Sequence, residues 1–236
     1  MSDNSHVSGY VNYVSDRKNI ERTSRLRVRW LKKISGGNLG RVLDVGCATG
    51  FTVKHLLDLG LDAYGIEPSD FAANYAIKSL GLTGRILHGH LRSDTYPDET
   101  FDTIIAWDVI EHIPQPNEFL RLLRRLLRPG GTLSLITPDC SSLLAKLMGK
   151  RWMEYAKPTE HIFFFSKKTL TGLLKRNGFH AAGATTAGKH AGLDFLANRI
   201  SSVIPLQLPF RRLSGLDFSV YIDIGDKIHL AAKKAI

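Results

Sequence analysis

Val42-Leu43-Asp44-Val45-Gly46-Cys47-Ala48-Thr49-Gly50 decides the fold of this chain. Four apolar-dominated residues make a short buried strand, which runs into a loop with Gly at its first and last positions. Glycine lacks a Cβ and tolerates positive φ, so such a loop lets backbone approach a ligand closely. The acid at Asp44 sets the kind of ligand. A G-x-G-x-x-G loop aims helix N-terminal amides at a pyrophosphate. Here a carboxylate at the strand end repels that anion, and the third glycine spacing is missing. A zwitterionic, cationic nucleoside fits better.

Outward from this stretch, apolar strands and helix-patterned segments alternate, which argues a parallel sheet with helices on both faces. The expected strands are Arg41–Val45, Asp62–Ile66, Gly84–His88, Phe101–Trp107 and Thr132–Thr137, with two late ones near His180–Ala187 and Lys227–Lys233. Ser69 is the expected N-cap of a helix bearing Phe71, Ala72, Tyr75 and Ala76, and Ser166 of one bearing Leu170, Leu173 and Leu174. The helix at Phe119–Leu127 alternates leucines with arginines and is expected to stop at Pro129-Gly130-Gly131. Upstream, about Asp16 to Ser35 reads as a helix with an apolar stripe of Ile20, Leu26, Trp30 and Ile34. Gly36-Gly37-Asn38-Leu39-Gly40 separates it from the first strand.

The expected domain layout is an N-terminal helical cap over 1–40 and one ligand-binding domain over 41–236, with a cap insertion at 190–218. That insertion is apolar and basic, and Pro205 and Pro209 prevent one continuous helix.

Of 236 residues, 43% are hydrophobic and 23% charged, as in ordinary globular proteins. No apolar run approaches the roughly 20 residues of a membrane span. The start Met1–His6 has neither a basic nor an apolar character, and two cysteines make neither a disulfide framework nor a metal site. Cytoplasm is the expected compartment. The net charge of +10 concentrates near Arg17–Lys33, Arg121–Arg128 and Lys146–Arg151. Such surfaces attract nucleic acid, anionic lipid or phosphorylated small molecules, but solvated helix faces are the simpler account. No nucleic-acid-binding signature accompanies them. For Gly192–Leu216 the first expectation is a cap over the substrate side of the sheet, and a transient contact with an anionic membrane surface is the sharper one.

Several segments together resemble the class I S-adenosylmethionine-dependent methyltransferase superfamily. They are VLDVGCATG, YGIEPS, FDTIIAWDVIEHIPQP and LRRLLRPGGTLSLITPD, spanning roughly Arg41 to Phe179. The later run PTEHIFFFSKKTLTGLLKRNGF is similar to small-molecule members from natural-product, surface-polysaccharide or lipid pathways. The resemblance implies an α/β, Rossmann-like, doubly wound seven-stranded sheet in the order 3-2-1-4-5-7-6, with strand 7 antiparallel. It also implies S-adenosyl-L-methionine as the cofactor and methyl transfer to a hydroxyl or amine of a small molecule.

By the same resemblance Asp44, Gly46, Cys47, Ala48 and Gly50 cradle the methionine and ribose portions, and Glu67 accepts the ribose hydroxyls. Pro68 and Ser69 line the adenine, with His90 and Leu91 in the region where the family often offers an acid. Trp107 and Asp108 face the methionine part. Cys47 reads as a small residue that leaves room, since nothing nearby would activate a thiolate.

His112 and His161 are the candidate bases: a neutral imidazole can take a proton from an acceptor hydroxyl. Asp139 is a weaker third. Trp152 and Tyr155 are candidates for acceptor recognition, joined by Tyr10 and Tyr13, which could close over the cofactor from the N-terminal segment. No His/Cys/Asp/Glu spacing suggests a metal site. The competing reading is a nucleic-acid or protein methyltransferase using the basic N-terminal face. Against it, Asp108-Val109-Ile110-Glu111 stands where an N/D-P-P-Y/F tetrapeptide would serve exocyclic base amines. A third reading is a cofactor-binding scaffold without chemistry.

Overall fold

The computed structural model describes residues 14–155, 161–192 and 219–235. Nine strands are described: β1 Val42–Val45, β2 Ala63–Glu67, β3 Ile86–His88, β4 Phe101–Trp107, β5 Leu127–Pro138, β6 Phe179–Thr186, β7 Lys189–Gly192, β8 Ser219–Ile222 and β9 Lys227–Lys234. Seven of them form one sheet in the order β3-β2-β1-β4-β5-β9-β6, and β7 pairs with β8 apart from it. β9 runs antiparallel to both neighbours, whereas the β3-β2-β1-β4-β5 pairings are parallel. Counting only sheet strands, this is the expected 3-2-1-4-5-7-6 order. The β7–β8 pair was not expected; it flanks the insertion, whose residues 193–218 lie outside the described ones.

The helices are α1 Arg17–Ile34, α2 Phe51–Asp58, α3 Asp70–Asn74 (continued as a π-turn over Tyr75–Ser79), α4 Pro116–Leu126, α5 Leu143–Met148 and α6 Lys167–Arg176. The strands' two-residue alternation sends side chains to opposite faces. Leu43, Ile104 and Leu230 pack with Leu120, Leu123 and Leu126 of α4 and Leu170 and Leu174 of α6. Val42, Ile105 and Ala231 pack on the other face, with Val28 and Leu31 of α1, Val53 and Leu56 of α2 and Ala73 of α3. No described helix is long and apolar enough to cross a membrane.

Local expectations meet the structure unevenly. Ser166 caps α6 in a reciprocal box with Thr169, and Ser69 caps α3 by accepting from the Ala72 N–H at 3.4 Å. The stripe on α1 is met in part: Trp30 and Ile34 pack on the core, but the fully buried residues are Thr23, Ser24, Val28 and Leu31. Thr23 is buried because its hydroxyl donates to Asn19 O and accepts from His190 N; Ser24 meets the Thr52 hydroxyl at 3.1 Å. Pro129-Gly130-Gly131 also differs, lying inside the extended run of β5 after α4 has ended at Leu126.

Candidate active site

The C-terminal edge of β1 and β2 holds two buried acids. Gly46 and Gly50 sit at φ +73° and +78°, and a Cβ would fall 2.7 Å from Val109 Cγ2 at the first and 2.8 Å from Ala76 Cβ at the second. Both glycines are therefore demanded by protein packing as well as by the turn. Cys47 is buried over Gly65, where an added Cβ would lie 2.6 Å from its sulfur. Burial pushes its thiol well above the ordinary range, so it packs and does not react.

Glu67 ties the loops together. One of its oxygens accepts from the Ala48 N–H and the other from the Ser69 N–H, both at 2.8 Å. Asp44 is 4% exposed and Glu67 3%. Burial, and then the charge of Glu67, push the Asp44 carboxyl up to about 8. No cationic side chain among the described residues pairs with Asp44. A buried carboxyl with no cation beside it among the described residues, next to a second buried acid, fits a ligand bearing positive charge and hydrogen-bond donors. S-adenosylmethionine has these in its ammonium, sulfonium and ribose diol. Nearby, Pro68 and His90 are exposed, Ser69 is engaged in its cap, and the half-buried Leu91 packs on the core.

Past β4 an acid stands between two cations. Asp108, at φ +55°, has one carboxylate oxygen 2.5 Å from Lys227 Nζ, and the other is 3.8 Å from Arg27 Nη1. Burial works to discharge Lys227, but Asp108 outweighs it and its pKa is raised. Glu111 and Glu154 also act on this cluster, so Arg27 and Lys227 stand among several acids. Arg27 and Lys227 escaped the sequence reading: nothing distinguishes Arg27 from its neighbours until α1 crosses β4. The Trp107 ring, expected to face the methionine part, packs under the Arg27 guanidinium. Its indole N–H donates to Ser134 Oγ at 2.9 Å, and that oxygen meets His229 Nε2 at 2.9 Å.

On the acceptor side, Ile110–His112 forms a 3₁₀ turn after β4. The Glu111 carbonyl accepts from Ile162 N at 2.8 Å and Phe163 N at 3.1 Å. Those bonds bring His161 beside His112, with ring centroids 4.8 Å apart. The buried His161 has its Nδ1 3.6 Å from a Glu154 carboxylate oxygen. Burial, then the charge of Asp108, push buried Glu111 up to about 7. Potential ligand atoms of Glu111, His112 and His161 all lie within 4.8 Å of one another. The fold thus assembles a cluster of metal-ligating residue types that linear spacing concealed.

Trp152, a candidate for acceptor recognition, is buried at 1% exposure and stands edge-on to Tyr155 at 4.9 Å. The half-buried Tyr155 stands against Phe164 at 4.7 Å. Asp139 forms a turn, its Oδ1 accepting from the Ser141 N–H and hydroxyl. Tyr10 and Tyr13 lie outside the described residues. A cavity of about 540 Å³ opens elsewhere, beside α4 and α6, lined by Glu118, Arg121, Phe163 and Arg176 among others.

Residues 15–182 match the family model described as "Methyltransferase domain". The chain belongs to that family. It is a class I S-adenosylmethionine-dependent methyltransferase. The methyltransferase is 26% identical over 205 residues to a ubiquinone biosynthesis O-methyltransferase from Aeromonas salmonicida, covering 78% of this chain and 86% of that protein. It is 32% identical over 133 residues to the chloroplastic 2-methyl-6-phytyl-1,4-hydroquinone methyltransferase 1 of rice (Oryza sativa subsp. japonica), covering 54% of this chain but 40% of that one. Among solved structures, an S-adenosylmethionine-dependent methyltransferase from Thermotoga maritima shares the fold at TM-score 0.60 and 21% identity, covering 97% of this chain and 96% of that one.

Proposed function

We propose that this enzyme methylates a hydroxyl of a small molecule, with His112 or His161 taking the hydroxyl proton. The observation that carries the reading is the meeting of these two imidazoles beyond the C-terminal end of β4. The bound cofactor supplies an electrophilic methyl group, so the protein's tasks are alignment and proton removal. Positioning in such reactions supplies roughly 7–11 kcal/mol, and a placed base roughly 10²–10⁴-fold. As the acceptor oxygen gains the methyl, its proton passes to an imidazole nitrogen. Glu154 places a carboxylate oxygen 3.6 Å from His161 Nδ1.

The relatives named for ubiquinone biosynthesis and for a phytyl hydroquinone support a phenolic, amphiphilic acceptor. The basic surface supports the same preference or a phosphorylated one. The test is methyl transfer from labelled cofactor to a panel of phenols, catechols and amines, with His112→Ala, His161→Ala and the double variant. The expected result is transfer to a hydroxyl, reduced on the order of 100-fold or more in the double variant while affinity for S-adenosylhomocysteine is kept. Turnover within a few-fold of the parent would refute the histidine assignment. Transfer only to amines, nucleic acid or protein would refute the acceptor class.

A further inference from the structure

The chain between β5 and α6 carries a surface that neither the β1–β2 edge nor the histidine pair uses. On α5, Leu143 and Leu147 are 73% and 76% exposed, and Met148 beside them is exposed as well. Four residues apart, the two leucines project from one side of the helix. Ala145, on the opposite side, is buried, and Ser142 caps the helix by accepting from the Ala145 N–H at 3.1 Å. The leucines are thus held outward by a fixed element. Residues 140–153 contain Lys146, Lys150 and Arg151 and no acidic residue. All three cations are exposed.

The neighbouring segment continues the surface. Ile162, Phe163 and Phe164 are partly exposed. It is tied to the first by the edge-on series Trp152, Tyr155 and Phe164, and by the Cys140 N–H donating to Phe165 O at 2.9 Å. Both segments leave the sheet edge that carries His112 and His161.

We propose that this surface docks on an anionic phospholipid bilayer, with Leu143, Leu147 and Met148 entering the acyl boundary and Lys146, Lys150 and Arg151 at the headgroups. Charge decides between occupants. An uninterrupted basic stretch around exposed aliphatic side chains complements a negative headgroup layer, and long lysine side chains keep their ammonium groups in that layer while their stems lie on apolar surface. A second copy of the chain would bring the same three cations together, with no acid in the stretch to neutralise them. The inference rests on residues 140–153 and 162–164 and stands whichever acceptor is methylated.

The test is co-sedimentation of the full chain with vesicles of phosphatidylcholine alone and with about one-quarter phosphatidylglycerol, at low and high salt. Binding is expected only to the anionic vesicles and to weaken as salt rises. Leu143→Ser/Leu147→Ser and Lys146→Gln/Lys150→Gln should each lower partitioning roughly ten-fold or more. Circular dichroism and S-adenosylhomocysteine affinity should match the parent, which separates loss of docking from loss of fold. No vesicle binding, equal binding to neutral vesicles, or binding unaffected by either double variant would overturn the proposal. So would a change of oligomeric state in the leucine variant without any vesicle binding by the parent.

Discussion

Asp44 and Glu67 are two buried acids from neighbouring strands that share one electrostatic environment. Burial together with the charge of Glu67 pushes Asp44 up to about 8. A carboxyl with a raised folded pKa keeps its proton through neutral pH, and its contribution to the stability of the cofactor-free protein falls as pH rises from about 4 towards 8. A cationic cofactor reverses this by favouring the ionised form. Binding of S-adenosylmethionine near pH 7 should therefore release up to about one proton and tighten with pH until about 8. Calorimetry in two buffers of different ionisation enthalpy measures the release. Asp44→Asn should abolish it and weaken binding about ten-fold or more; a parent protein that releases no proton would contradict the assignment.

Arg27 reaches from α1 to Asp108 and Trp107. If its charge receives the cofactor's carboxylate, Arg27→Ala should weaken S-adenosylhomocysteine binding about ten-fold. A nucleoside without the amino-acid tail, such as methylthioadenosine, should bind both proteins alike. Equal weakening for both ligands would mean that Arg27 only holds the fold.

Glu111, His112 and His161 form a cluster that could hold a proton or a cation. A base role requires that turnover survive exhaustive chelation. Treatment with EDTA followed by assay in metal-free buffer should leave the rate within about two-fold, whereas a placed base alone is worth roughly 10²–10⁴-fold. Loss of activity restored by added divalent ion would reassign the imidazoles as ligands.

His229 has the opposite pH signature from Asp44. Burial, and then the charge of Arg27, lower its pKa from 6.5 to about 3. Between those values the unfolded chain binds more protons, so stability is lost as pH falls below about 6.5 towards 3. The loss is on the order of 3 kcal/mol by pH 4. Urea unfolding of the parent and His229→Gln across this range should give a shallower acid slope in the variant, whatever its absolute stability. Parallel slopes would place the acid sensitivity elsewhere.

The edge formed by β1 and β2 was legible because its pattern is local: a strand, two glycines and an acid lie within nine residues, and Glu67 ends the next strand. β4 matches its expected bounds at both ends, since Phe101–Trp107 alternates between two buried faces. The rest depended on distance along the chain. Arg27 and Lys227 meet at Asp108 only after α1 crosses the sheet and β9 inserts beside β5. The stripe on α1 was legible only in part, because Thr23 and Ser24 are buried through hydroxyl hydrogen bonds, a reason for burial that apolar periodicity does not register.

β9 occupies the slot between β5 and β6, although it follows both in sequence. While the ribosome is still making the chain, that slot stays open and the facing edges of β5 and β6 have no partner. Lys227, which holds Asp108, arrives with the strand that closes it. The nascent enzyme therefore closes its central sheet and pairs Asp108 with Lys227 in one event. Until then two bare strand edges are exposed to other nascent chains, which makes this the stage at which chaperone protection matters most.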